Sequence, residues 1–208
     1  MKRILERRVV PVVVIDATQE VIPLAETFLR NGLDIMEITF RTPAAEEALR
    51  VVAARFPEIL LGAGTLLTED QVERAARAGA RFAVAPGLDE RVVARAQALG
   101  LAMVPGVVTP TEVSRAISLG CRLVKFFPAE AAGGVKMLQA LWGPFAHTGV
   151  RFIPLGGVNA GNMRNYLDLP AVAAVGGSWM AERKLVAAGD WERIGALVRE
   201  ALALAAAE

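Results

Sequence analysis

Lys125 stands in the run Cys121-Arg122-Leu123-Val124-Lys125-Phe126-Phe127-Pro128, with apolar residues on both sides. An ammonium in such surroundings is costly unless it is paired, and burial lowers its pKa. A neutral amine near pH 7 attacks ketones and forms Schiff bases. The strand context alone leaves a second reading open, a lysine snorkelling outward or held in a structural ion pair. Glu37 lies in Asp34-Ile35-Met36-Glu37-Ile38-Thr39-Phe40-Arg41. Strand side chains alternate, so Glu37, Thr39 and Arg41 share one face, while Met36, Ile38 and Phe40 share the other. The apolar set suits a layer facing helices, and the polar set then faces an interior or its mouth. A structural Glu37–Arg41 pair is the plainer alternative. A lysine nucleophile, a carboxylate proton shuttle and an arginine together suit a keto-acid substrate.

Other segments suit ligand contact. Gly62-Ala63-Gly64-Thr65 lets a ligand approach the backbone, and the Thr65 hydroxyl can bond a carboxylate; a turn with a helix cap is its ordinary role. Pro86-Gly87 and Pro105-Gly106 read as turns at strand ends. Gly156-Gly157 and Gly176-Gly177-Ser178 fall near the C-terminus, where backbone N–H groups and a hydroxyl can hold a phosphate. The one histidine, His147, lies in a loop on the far face, and the one cysteine, Cys121, opens a strand. Together they argue against disulfide frameworks, cysteine clusters and histidine-rich metal sites.

The elements that must position these residues alternate along the chain. Strands are expected over 9–15, 34–40, 59–64, 81–86, 101–105, 122–127, 151–156 and 171–176. Helices are expected over 19–31, 44–56, 69–78, 90–99, 111–119, 135–142, 161–167 and 191–206. Thr18, Thr68, Asp89, Thr109 and Asp190 are placed as N-caps. Strict alternation implies a parallel sheet, and nearly continuous apolar strands imply cover on both faces. The expectation is an α/β fold, a single (β/α)8 TIM barrel over 1–208, with its site at the C-terminal strand ends. A doubly wound open sheet is the alternative, but no G-x-G-x-x-G opens the first helix.

Composition narrows the function. Lys plus Arg is 23 and Asp plus Glu is 22, a net charge of +1, which argues against a broad nucleic-acid-binding face. No apolar run approaches the roughly 18 residues of a membrane span. Residues 1–8 lack a signal-peptide pattern, so a soluble cytoplasmic protein is expected. Only Lys2, Lys125, Lys136 and Lys184 are lysines, so the rest of the basic set is arginine.

Glu37-Ile-Thr-Phe-Arg-Thr, Gly62-Ala-Gly-Thr, Ala85-Pro-Gly, Lys125-Phe-Phe-Pro-Ala-Glu, Gly133-Gly-Val-Lys, Gly156-Gly-Val and Gly176-Gly-Ser-Trp stand in this order. From Val9 to the final helix, the sequence resembles the family of 2-keto-3-deoxy-6-phosphogluconate (KDPG) and 4-hydroxy-2-oxoglutarate aldolases. The resemblance implies a cofactor-free, metal-independent class I lyase of the Entner-Doudoroff type, on a barrel, assembled as a homotrimer. Its implied substrates are a phosphorylated keto acid and pyruvate, with 4-hydroxy-2-oxoglutarate or a related sugar acid as the alternative. It further implies Lys125 as the Schiff-base lysine and Glu37 as the acid/base. Arg41 and Thr65 would hold the pyruvyl carboxylate, with Pro86 and Phe127 as walls. Gly156, Gly157 and Ser178 would bind phosphate. Leu155 departs from the pattern, since some members carry Thr there. A different sugar-phosphate barrel enzyme and an inactive binding barrel are the competing readings.

Overall fold

The computed structural model describes residues 1–207. In chain order the elements are α1 (Lys2–Arg7), β1 (Val9–Val13), α2 (Val21–Arg30), β2 (Ile35–Thr39), α3 (Ala45–Arg55) and β3 (Leu60–Gly64). There follow α4 (Glu69–Arg77), β4 (Phe82–Val84), α5 (Glu90–Ala98), β5 (Ala102–Val104), β6 (Gly106–Val107) and α6 (Pro110–Ser118). The chain ends with β7 (Leu123–Phe126), α7 (Gly134–Trp142), β8 (Arg151–Pro154), α8 (Met163–Leu167), β9 (Val175–Gly177), α9 (Arg183–Ala188) and α10 (Trp191–Ala206).

The alternating pattern produces a curled parallel α/β sheet. One arc has the order β5-β4-β3-β2-β1-β9, and a second has β6-β7-β8. The sequence led to a single ring of eight strands; the hydrogen-bond ladder instead forms these two arcs. Two local causes are visible. Pro105 has no N–H and splits the expected fifth strand into β5 and β6. The expected eighth strand regularises only from Val175, leaving a single bridge between Phe152 and Val172. The arcs still meet: Gly106 N–H donates to Gly87 O at 3.2 Å, and Ala173 N–H donates to Phe152 O at 2.9 Å.

Helix starts follow local chemistry. Thr68, Asp89 and Asp190 accept backbone N–H bonds as N-caps, and Thr109 forms a capping box with Glu112. Thr18 does not cap; it opens a 3₁₀ turn, and α2 starts at Val21. The core is continuous, and β1 and β2 are buried along their full length. Two helices were not expected, α1 and α9. Arg7 Nε reaches Asp34 at 2.8 Å and Arg3 Nε reaches it at 3.3 Å, fastening α1 beneath the start of β2. No helix among the described residues is long and apolar enough to cross a membrane.

Candidate active site

Glu37 sits mid-way along β2, between Val12 of β1 and Gly62 of β3 in the ladder. Its side chain points inward and lines a small void of about 10 Å³ with Ile4, Val10, Phe82, Val84, Val104, Ile153 and Leu155. Glu37 is 2 % exposed, and its Oε1 is buried without a hydrogen-bond partner. Burial pushes its pKa up, against the attraction of Lys125 and Arg41. Gly64 makes room for it: a Cβ there would lie 1.9 Å from Glu37 Oε1. The sheet-face argument for Glu37 therefore describes its real orientation.

Lys125 comes from the other arc, on β7, paired with Gly106 and Ile153. It is 5 % exposed. Burial lowers its pKa, Glu37 opposes that shift, and Arg41 adds to it. Carboxylate and amine are thus both displaced toward their neutral forms by the same dry surroundings. Lys125 Nζ stands 4.6 Å from the centroid of the Phe127 ring.

A cavity of about 410 Å³ opens at the C-terminal strand ends and is reached by Lys125. Lys125, Arg41, Phe127, Leu155, Gly156, Gly177, Ser178, Glu182 and Arg183 line it, with Val12 and Val14. Arg41 Nε donates to Thr65 Oγ1 at 3.2 Å, so Thr65 joins the site through Arg41. Thr65 holds φ at +58°, a left-handed backbone uncommon for a branched residue. Pro86 stands apart from this cavity; its carbonyl packs so closely on Gly106 that a Cβ there would lie 2.0 Å from it.

The turn after β8 is built on left-handed glycines, with φ of +92° at Gly156 and +85° at Gly157. Gly156 borders the cavity, whereas Gly157 sits behind it, against Glu130. Glu130 N–H donates to Gly156 O at 3.0 Å, and the Tyr166 hydroxyl donates to the Glu130 carboxylate. Burial, and after it that bond, raise the Tyr166 pKa. Leu155 is buried with its side chain over Gly176, where a Cβ would meet Leu155 Cγ at 2.8 Å.

Sequence reasoning missed Glu130, Tyr166, Asp16 and Arg183. Arg183 forms two bonds to the Asp16 carboxylate across 167 positions of chain, a separation that no local pattern signals. His147 is exposed in a 3₁₀ segment. Cys121 lines a different cavity of about 430 Å³ at the N-terminal strand ends, with Leu5, Leu101, Met103 and Leu123. That cavity contains no acid–base pair.

The family model "KDPG and KHG aldolase" matches residues 1–197. The 2-dehydro-3-deoxy-phosphogluconate aldolase of Haemophilus influenzae is 44 % identical over 97 % of this chain and 94 % of its own length. A KDPG aldolase structure from Legionella pneumophila, with pyruvate captured as a covalent carbinolamine, superposes with a TM-score of 0.91 at 38 % identity, covering 95 % of each chain. The Zymomonas mobilis 2-keto-3-deoxy-6-phosphogluconate aldolase with 3-phosphoglycerate superposes at 0.88, with 36 % identity, over 99 % of this chain and 97 % of that one. A shared fold at these identities, over nearly the full length of both partners, means that this chain belongs to the KDPG and KHG aldolase family.

Proposed function

We propose that this chain is a class I aldolase that cleaves 2-keto-3-deoxy-6-phosphogluconate to pyruvate and glyceraldehyde 3-phosphate. One observation carries the reading: a lysine and a glutamate from the two arcs, at 5 % and 2 % exposure, lie close enough in the apolar interior to act on each other's charge, and the lysine lines an open cavity. Lys125 Nζ attacks the C2 ketone of the keto acid. Glu37 delivers the proton that lets the carbinolamine lose water, leaving an iminium. Glu37 then takes the proton of the C4 hydroxyl as the C3–C4 bond breaks, and the bond's electron pair enters the iminium to give an enamine. The aldehyde leaves, Glu37 returns the proton to C3, and hydrolysis frees pyruvate and the amine. One carboxylate serves each step because it alternates protonation state.

In this reading Arg41 and Thr65 hold the pyruvyl carboxylate. Phe127 flanks the pyruvyl end, and Gly156 and Ser178, which border the cavity, receive the phosphate, while Gly157 shapes the turn from behind and Pro86 packs on Gly106 at the neighbouring strand end. The split ladder is read as one closed (β/α)8 barrel over 1–208, with β5 and β6 acting as one stave. Leu67, 55 % exposed on the loop after β3, suits an apolar contact between copies in a homotrimer. A doubly ionised sugar phosphate crosses an apolar bilayer poorly, which supports the reading of a cytoplasmic enzyme. The test has two arms. Borohydride with pyruvate should leave a three-carbon adduct on Lys125; an adduct on Lys136 sinks the assignment. The phosphorylated six-carbon keto acid should exceed its unphosphorylated counterpart in kcat/KM by at least about 10²-fold, roughly 2.7 kcal/mol. Leu155 favours the second reading, since it offers no polar contact. If the two substrates run within a few-fold of each other, the chain is a general 4-hydroxy-2-oxo acid aldolase.

A further inference from the structure

A dianionic phosphate is held more strongly where a cation joins the N–H donors, and the cavity has three cations. Lys125 is committed to the ketone, and Arg41 lies at the Thr65 edge, bonded to its hydroxyl. The third is Arg183, which borders the same cavity as Gly156 and Ser178. Its guanidinium carries five N–H donors in a planar fork. Nε and Nη2 are taken by the two oxygens of Asp16, while Nη1 makes no hydrogen bond among the described residues. Asp16 thus grips one edge of the fork and leaves the other edge available. Glu182 also lines the cavity, but Lys184 Nζ balances its carboxylate at 2.8 Å.

We propose that Arg183 is a phosphate ligand of this enzyme, presenting its Nη1 edge to the distal phosphate beside Ser178, with Asp16 as the residue that aims it. The inference rests on the reading of a phosphorylated substrate given above. Arginine forks match phosphate oxygens well, and a guanidinium anchored along one edge loses little further freedom on binding. Arg183 is 64 % exposed, so screening limits the effect and makes it dependent on salt.

The experiment compares wild type with Arg183→Gln on the phosphorylated and unphosphorylated keto acids, and on inorganic phosphate as competitive inhibitor. The variant should raise KM for the phosphorylated substrate about tenfold or more. The inhibition constant for phosphate should rise in parallel, and both shifts should shrink in high salt. The unphosphorylated substrate should change far less, and thermal unfolding should confirm that the variant is folded. Retention of the wild-type preference for phosphorylated substrate, or equal losses on both, overturns the inference. If wild type shows no such preference, the phosphate reading fails first, and the role of Arg183 falls with it.

Discussion

Adding a single carbon at Gly64 should disable the enzyme without unfolding it. The Cβ of Gly64→Ala would lie 1.9 Å from Glu37 Oε1, 2.8 Å from its Cδ and 3.0 Å from its Cγ. An ordinary C···O contact is about 3.3 Å, so the carboxylate must retreat by about 1.4 Å. The side-chain end of Glu37 is the part that yields, because β3 is locked in register with β2 at five positions. Misplacement of a catalytic group by about 1 Å costs on the order of 10²-fold in rate, and complete loss of general acid–base catalysis costs up to about 10⁴. Turnover should therefore fall by about 10²–10⁴. Overpacking of this kind costs about 1–3 kcal/mol, a Tm drop of several degrees for a chain this long. Pyruvate detection by a coupled dehydrogenase gives kcat, and calorimetry gives Tm. Exchange of pyruvate methyl protons with solvent deuterium should slow with turnover. A variant that keeps turnover within threefold of wild type would refute the placement of the proton carrier across Gly64.

Glu37→Gln keeps the shape but cannot move protons, so turnover should fall by about 10²–10⁴ while the pyruvate adduct still forms on Lys125, read by mass spectrometry. The folded-state pKa of Glu37 is raised, so its contribution to stability is lost as pH rises through that value; Tm of the Gln variant should gain on wild type from acid toward neutral pH. Lys125→Met should abolish turnover. Because the Lys125 pKa is lowered from 10.5, charging it in the fold costs stability at lower pH, so the Met variant should melt above wild type at pH 7, with the gap closing toward about pH 10.5. EDTA should leave activity unchanged, and inhibition by the chelator would count against the Schiff-base mechanism.

Much of the site was legible because each residue announced itself locally. Lys125 and Glu37 are charged residues inside apolar strands, and period-two alternation was enough to aim Glu37 inward. The glycine pair at Gly156-Gly157 stood out as a place for close backbone approach, and its left-handed φ values require glycine there. What was not legible depends on distance along the chain. Asp16 meets Arg183 only when β1 and β9 pair and α9 folds back beside them. Glu130 reaches Tyr166 across 36 positions, and neither stands out in sequence. The split of the expected fifth strand is the one feature whose cause, Pro105, was in plain view. The end of a strand and a break within one look alike in sequence when Gly follows Pro.

Helix α1 closes the opposite end of the molecule from the chemistry. Ile4 enters the same void as Glu37, and Arg3 and Arg7 clasp Asp34 to keep it there. The helix acts as a stopper: the proton affinity of a carboxylate in the middle of the sheet depends on a seal at the bottom. Loosening that seal would admit water from below and return Glu37 toward ordinary carboxylate acidity, with every substrate contact untouched. An insult more than thirty residues away in sequence would then register as a change in pH profile rather than as a loss of binding.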